Sequence, residues 1–141
     1  MSFIKRIFQL NKLITKKKEK LNNQDKNYIE KQLFINDSPK DFTIYHLKTF
    51  KQKYENLIFK HISKENIAYV IRNINGFNTL GFIEPIDVIV CNQKNEIVST
   101  YTKFLPQKFT KHYTGFNFFY IFPTGILKRF DLRIGDIIRT K

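Results

Sequence analysis

NGFNTLGFIEPIDVIV, residues 75–90, runs from a glycine-punctuated polar loop through a proline into an almost unbroken apolar stretch. A proline stops helix propagation, and a short run dominated by Ile and Val fits a pleated, buried surface, so the segment reads as the entry to a core strand. Residues 67–71 (IAYVI) before it and 97–104 (IVSTYTKF) after it have the same character. Between the last two strands, NQKN at 92–95 supplies a turn in which Asn95 can take the left-handed conformation that a tight hairpin needs. The rest of the chain beyond Phe42 is arranged around this hairpin.

Outward from it, residues 42–47 (FTIYHL) alternate, with Phe42, Ile44 and His46 on one side and Thr43, Tyr45 and Leu47 on the other. Thr49 can cap a short helix whose face is Phe50, Tyr54, Leu57 and Ile58. FNFFYIF at 116–122 predicts a further strand ended by Pro123. ILKRF at 126–130 predicts a short helix, and RIGD at 133–136 turns into a terminal strand at 137–140. These elements predict a mainly β fold, a compact antiparallel β-barrel or sandwich of about six or seven short strands with two short helices. The predicted organisation is a basic amphipathic helix at 1–21, a polar linker at 22–41 and a β-rich globular domain at 42–141. Within 22–41 the polar clusters NNQD and NDSP read as breaks, and residues 28–35 as a short helix or strand.

The chain has 141 residues, enough for one domain that buries about two-thirds of its unfolded surface. Fifteen Phe predict a phenylalanine-rich core. The formal net charge of +13 fits a polyanionic partner, either nucleic acid or an acidic membrane surface. It is nevertheless spread, with ten Lys/Arg against four acids in residues 1–40 and fifteen against eight beyond, and no nucleic-acid motif accompanies it. The lone Cys91 cannot form an intramolecular disulfide, and it reads as a small buried hydrophobe. The longest apolar runs fall far short of the ~18 residues of a membrane-spanning helix.

In residues 1–21, Phe3, Ile7, Leu10 and Ile14 recur at helical spacing, and Lys5, Arg6, Lys12, Lys16, Lys17 and Lys18 supply a basic face. Such a helix can lie on an anionic membrane surface or dock on a protein partner, and the sequence leaves both open. The expected location is cytoplasmic, membrane-peripheral if the helix adsorbs. Asp87 alternates with Ile89 and Cys91 on one strand face, so its carboxylate is expected to be buried, hydrogen-bonded by amides of the loop before it. Asn78, Thr79 and Asp87 are the candidate ligand-binding residues. The competing reading makes them structural, with Asp87 tying down loop 75–79 and Asn78 and Thr79 closing it. His46, His61 and His112 lack metal-site spacing, and the sequence asks for no cofactor and no metal. Phe116, Phe118, Phe119 and Tyr120 suit core packing better than base stacking.

Several of these residues also carry a family resemblance, covering roughly residues 46–139. Leu57-Ile58-Phe59-Lys60, then Asn75, Thr79, Pro85, Ile86 and Asp87, then Leu105-Pro106, Pro123, Gly125, Gly135 and Asp136 fall in the order and at the approximate spacing of the family named domain of unknown function 192, and the chain resembles a divergent member of it. Ile74 and Asn78 stand where that family carries cysteine and histidine, Phe82-Ile83 where it carries methionine-arginine, and Ile121 where it carries glutamate. The resemblance therefore implies a scaffold that keeps turn formers and packing residues and lacks the groups best suited to acid–base or metal chemistry. The function expected is a non-enzymatic binding or accessory β domain. A nucleic-acid-binding module and an enzyme centred on Asp87 are the alternatives.

Overall fold

The computed structural model describes residues 29–48, 52, 56–58, 60–62 and 66–141. Seven strands form one sheet: β1 (Glu30–Ile35), β2 (Ser38–Leu47), β3 (Ile67–Arg72), β4 (Ile86–Cys91), β5 (Ile97–Phe104), β6 (Phe118–Pro123) and β7 (Ile138–Thr140), in the order β5-β4-β6-β3-β2-β1-β7. One short helix, α1 (Ile126–Arg129), follows β6. The expected amphipathic helix at 1–21 lies outside the described residues, as do Phe50 and Tyr54 of the second predicted helix. Gln52, Asn56 and Leu57 of that second helix do have helical backbone.

The fold is mainly β, as expected, but it is neither a sandwich nor a closed barrel, and it is not wholly antiparallel. β2 and β3 run parallel, from Thr43 opposite Ile67 to Leu47 opposite Ile71, while every other pair is antiparallel. A parallel pair needs a long crossover, and residues 48–66 supply it. The two edges of the sheet meet at one corner, where Glu96 bridges Ile137, the Ile97 amide donates to the Asp136 carbonyl and the Ile138 amide to the Asn95 carbonyl. Contact between β5 and β7 goes no further than this corner among the described residues, so the sheet curls without sealing.

The predicted linker at 22–41 is corrected from residue 30 onward. β1 occupies 30–35, and NDSP is a two-residue hairpin turn in which Asn36 (φ 49) and Asp37 (φ 64) both adopt the left-handed region. That geometry matches the twist of the flanking strands, and Asn and Asp tolerate it better than most residues do. The Asn36 side chain then fastens the turn to the far end of the chain, accepting from the Ile137 amide at 2.9 Å and donating to Asp136 at 3.2 Å. Asn95 (φ 64) closes the β4–β5 hairpin as predicted.

Strand alternation splits the core between the two faces of the sheet. Ile89, Cys91, Tyr120 and Phe122 join Leu33, Ile44, Val70 and Ile138 on one face, with Ile126 and Leu127 of α1 packed in. Ile86, Val88, Val90, Phe119 and Ile121 point the other way, to Leu57, Ile62, Phe77 and Phe82. β4 is consequently buried along its whole length, as its apolar run requires.

Candidate functional site

Two irregular segments cover the second face, residues 73–83 between β3 and β4 and residues 105–117 between β5 and β6. They pair like a distorted ribbon. The Asn73 amide bonds the Asn117 carbonyl, Tyr113 bonds Asn75, Thr110 bonds Phe77, Thr79 and Lys108 join through a 2.9 Å bond, and Gln107 bonds the Thr79 carbonyl. Phe77 and Phe82 drop from the first segment and Tyr113 from the second onto the sheet, and the Tyr113 ring meets Phe119 edge-on at 5.8 Å.

Thr79 is the clasp of this ribbon. Fully buried, its hydroxyl donates to the Leu105 carbonyl at 2.7 Å and accepts from the Lys108 amide at 2.9 Å. Asn78 is half-buried and its Oδ1 accepts from the Leu80 amide at 3.2 Å, a local turn contact. Gln107, which the sequence did not single out, accepts from the Gly81 amide at 2.7 Å. Gly81 itself has φ +81, and a Cβ there would stand 2.7 Å from the Ile58 side chain, so both conformation and space demand glycine. The phenols of Tyr101 and Tyr113 are 2.7 Å apart and lock the ribbon to β5, and burial, with Tyr101 alongside, pushes the Tyr113 phenol up to about 12.

Asp87 does not join Asn78 and Thr79. Its carboxylate lies on the opposite face of β4, with no solvent exposure. Oδ1 accepts from the Lys103 amide at 2.9 Å, and Oδ2 accepts from the Gly125 and Leu127 amides, each at 3.0 Å. The donors are thus β5 and the first turn of α1, not the amides of loop 75–79 that the sequence suggested. Gly125, which is left-handed (φ 97), makes no side-chain cap of its own, and Asp87 does that work from 38 residues away, where negative charge suits the helix end. With both oxygens committed to backbone, Asp87 offers nothing to a substrate. A cleft of about 320 Å³ lies on the β1–β2 ribbon beside Glu30, Lys31, Lys40 and Asp41, and none of the three candidate residues lines it.

Of the histidines, His61 and His112 are exposed and His46 is buried, 3.2 Å from the Thr140 hydroxyl. Burial, reinforced by Arg72, Lys31 and Lys48, pulls the His46 imidazole down to about 4. Among the described residues no three or more His, Cys, Asp or Glu side chains are grouped to hold a metal. Cys91 is buried, and burial alone pushes its thiol up to about 12. Phe119 and Tyr120 are core residues as expected, and Phe118 is half-buried with the Arg72 guanidinium over its ring, whereas Phe116 is exposed. The membrane- or partner-contact candidates Phe3, Lys5, Arg6, Ile7, Leu10, Lys12, Ile14, Lys16, Lys17 and Lys18 lie outside the described residues. No helix among the described residues is long and apolar enough to cross a membrane.

What sequence reasoning missed is the outer surface of the ribbon. Leu80, Ile83, Leu105 and Phe109 face solvent, Phe109 with 68% of its surface exposed. The segments hold several large apolar residues, Ile74, Phe77, Leu80, Phe82, Ile83, Leu105 and Phe109 among them, and no local pattern marks which of these stay exposed.

Neither a protein-family model nor a curated protein sequence matches the chain. Two solved structures resemble it in fold. One, from Sinorhizobium meliloti 1021, is described as a "putative transcription regulator" and has a TM-score of 0.66 at 11% identity over 80% of this chain and 95% of its own. The other, a protein of unknown function from Novosphingobium aromaticivorans DSM 12444, has a TM-score of 0.66 at 11% identity over 79% and 84%. At that identity the likeness is one of fold alone.

Proposed function

We propose that this chain is a non-enzymatic binding or accessory β domain, a divergent member of the domain of unknown function 192 family, that attaches to an anionic membrane surface or a protein partner through its basic amphipathic segment at 1–21. The observation that carries the non-enzymatic part is the closure of Asp87: both carboxylate oxygens are satisfied by three backbone amides in a fully buried position. Thr79 is spent the same way, on the carbonyl and amide of the facing segment. A site that performs chemistry keeps at least one such group facing the substrate. The spacing of Phe3, Ile7, Leu10 and Ile14 in a segment with seven Lys/Arg supports the attachment. Under this reading the protein is cytoplasmic, and membrane-peripheral where the segment adsorbs to a bilayer.

The test compares the full chain with one beginning at residue 29, in sedimentation with phosphatidylserine vesicles and in titration with nucleic acid at low and high salt. Vesicle binding that is lost or much weakened by the truncation supports the reading, and vesicle binding that the truncation leaves unchanged overturns it. A second reading, a nucleic-acid-binding module, draws on the description of the Sinorhizobium neighbour and on the net charge of +13. It predicts affinity for nucleic acid that falls steeply with salt and survives the truncation.

A further inference from the structure

The outer surface of the ribbon combines two features. It presents Leu80 (44% exposed), Ile83 (47%), Leu105 (51%) and Phe109 (68%) to solvent, and large apolar side chains gathered on one exposed segment pair mark an interaction surface. It is also of one charge sign. Residues 73–83 and 105–117 contain Lys108 and Lys111, both exposed, and no Asp or Glu. The nearest carboxylate along the chain, Glu84, is turned away to accept from the Ile62 amide and to face His61. The apolar side chains do not gather by being floppy. Thr79, Gln107 and the Tyr101–Tyr113 pair hold the backbone beneath them, so ordering them on contact costs little entropy.

We propose that this ribbon is a membrane-contact surface, in which Phe109, Leu105 and Leu80 enter the interfacial region of an anionic lipid bilayer while Lys108 and Lys111 lie among the headgroups. The charge complementarity chooses an anionic occupant, and the side chains choose a bilayer over nucleic acid. Of the five large apolar side chains that these two segments expose, counting Phe116, three (Leu80, Ile83 and Leu105) are aliphatic; these gain from hydrocarbon and have no flat face on which to stack a base. The lysine heads match the layer of acidic lipid headgroups that lies directly above that hydrocarbon. None of these residues belongs to 1–21, and the proposal does not depend on the role of that segment.

The chain contains no Trp, so Phe109→Trp in the full-length protein places a single indole at the proposed point of entry, at a site exposed enough to accept it. On vesicles containing phosphatidylserine the emission of that indole is expected to shift to shorter wavelength and to be quenched by brominated acyl chains. Adding Lys108→Glu and Lys111→Glu is expected to weaken the response about tenfold or more. Vesicle binding without an indole shift would show attachment elsewhere on the chain, and would overturn the proposal even if residues 1–21 do attach. So would an absence of any vesicle binding, a shift produced by an oligonucleotide but not by vesicles, or a concentration-dependent shift without lipid, which would mark self-association. Leu105→Ser, alongside a melting curve that shows the fold intact, provides an independent check, with vesicle affinity expected to fall severalfold.

Discussion

At the scale of single residues the decisive side chain is Asp87, because it ties three elements that are distant in sequence. Asp87→Asn keeps the shape but replaces one acceptor oxygen by an NH2 group that must face a backbone donor in a fully buried position. Leaving buried amides unmatched costs about 1–3 kcal/mol each, more where the lost acceptor was charged, so the variant is expected to lose about 2–4 kcal/mol in urea unfolding. A loss below ~0.5 kcal/mol would show that the carboxylate is not what holds α1 to the sheet. His46 makes a different prediction. Its imidazole is pulled down to about 4 from an ordinary value near 6.5, so the folded state prefers the neutral ring. The stability this implies is fully present above pH ~6.5 and is lost as pH falls toward 4, the window in which the unfolded chain binds the extra proton. His46→Gln keeps a partner for Thr140 but cannot titrate. The stability gap between parent and variant is therefore expected to change by about 1–2 kcal/mol between pH 7 and pH 4, after allowance for solvent screening. A gap independent of pH would contradict this account.

At the scale of elements, the ribbon over the second face depends on Gly81. Gly81→Ala faces both a left-handed backbone and a 2.7 Å approach to Ile58, and is expected to cost about 1–3 kcal/mol. Adding Ile58→Ala removes the clash and leaves the backbone strain, so the double variant should recover part of the alanine penalty in a double-mutant cycle. Strict additivity of the two losses would show that the approach is relieved by other means.

The elements also show what the sequence made legible. β3, β4, β5, β6, α1 and the 92–95 hairpin were readable because apolar runs and left-handed Asn residues are local signals. β1 was not. In EKQLFI only Leu33 and Ile35 are deeply buried, and its polar first half made the segment resemble a linker. The two-residue Asn36-Asp37 turn between LFI and FTI was the missed clue, since paired left-handed residues of that kind mark a hairpin. Parallel pairing of β2 with β3 is a long-range choice that no local pattern encodes. At the site, alternation correctly put Asp87 on the face of Ile89 and Cys91. Which amides bond it could not be read, because Lys103 and Leu127 reach it only through the folded sheet.

For the molecule as a whole, the placement of β1 determines where the domain begins. β1 sits between β2 and β7, its Gln32 exchanges two backbone hydrogen bonds with Lys141 at 2.9 and 3.1 Å, and its Leu33 and Ile35 are core residues at 0% and 6% exposure. A chain cut to begin at residue 41, the boundary that the linker reading suggests, loses β1 and the first three residues of β2, and leaves β7 without its strand partner. Burying Leu33 and Ile35 alone contributes about 1.5–3 kcal/mol each, a large share of the 5–15 kcal/mol by which a domain of this size is stable. A chain beginning at residue 29 removes no residue of the sheet. The longer fragment is expected to melt cooperatively with near-native strand content by circular dichroism, and the shorter one to show no cooperative transition. Equal melting of the two fragments would mean that β1 is dispensable and would return the domain boundary to the neighbourhood of Phe42.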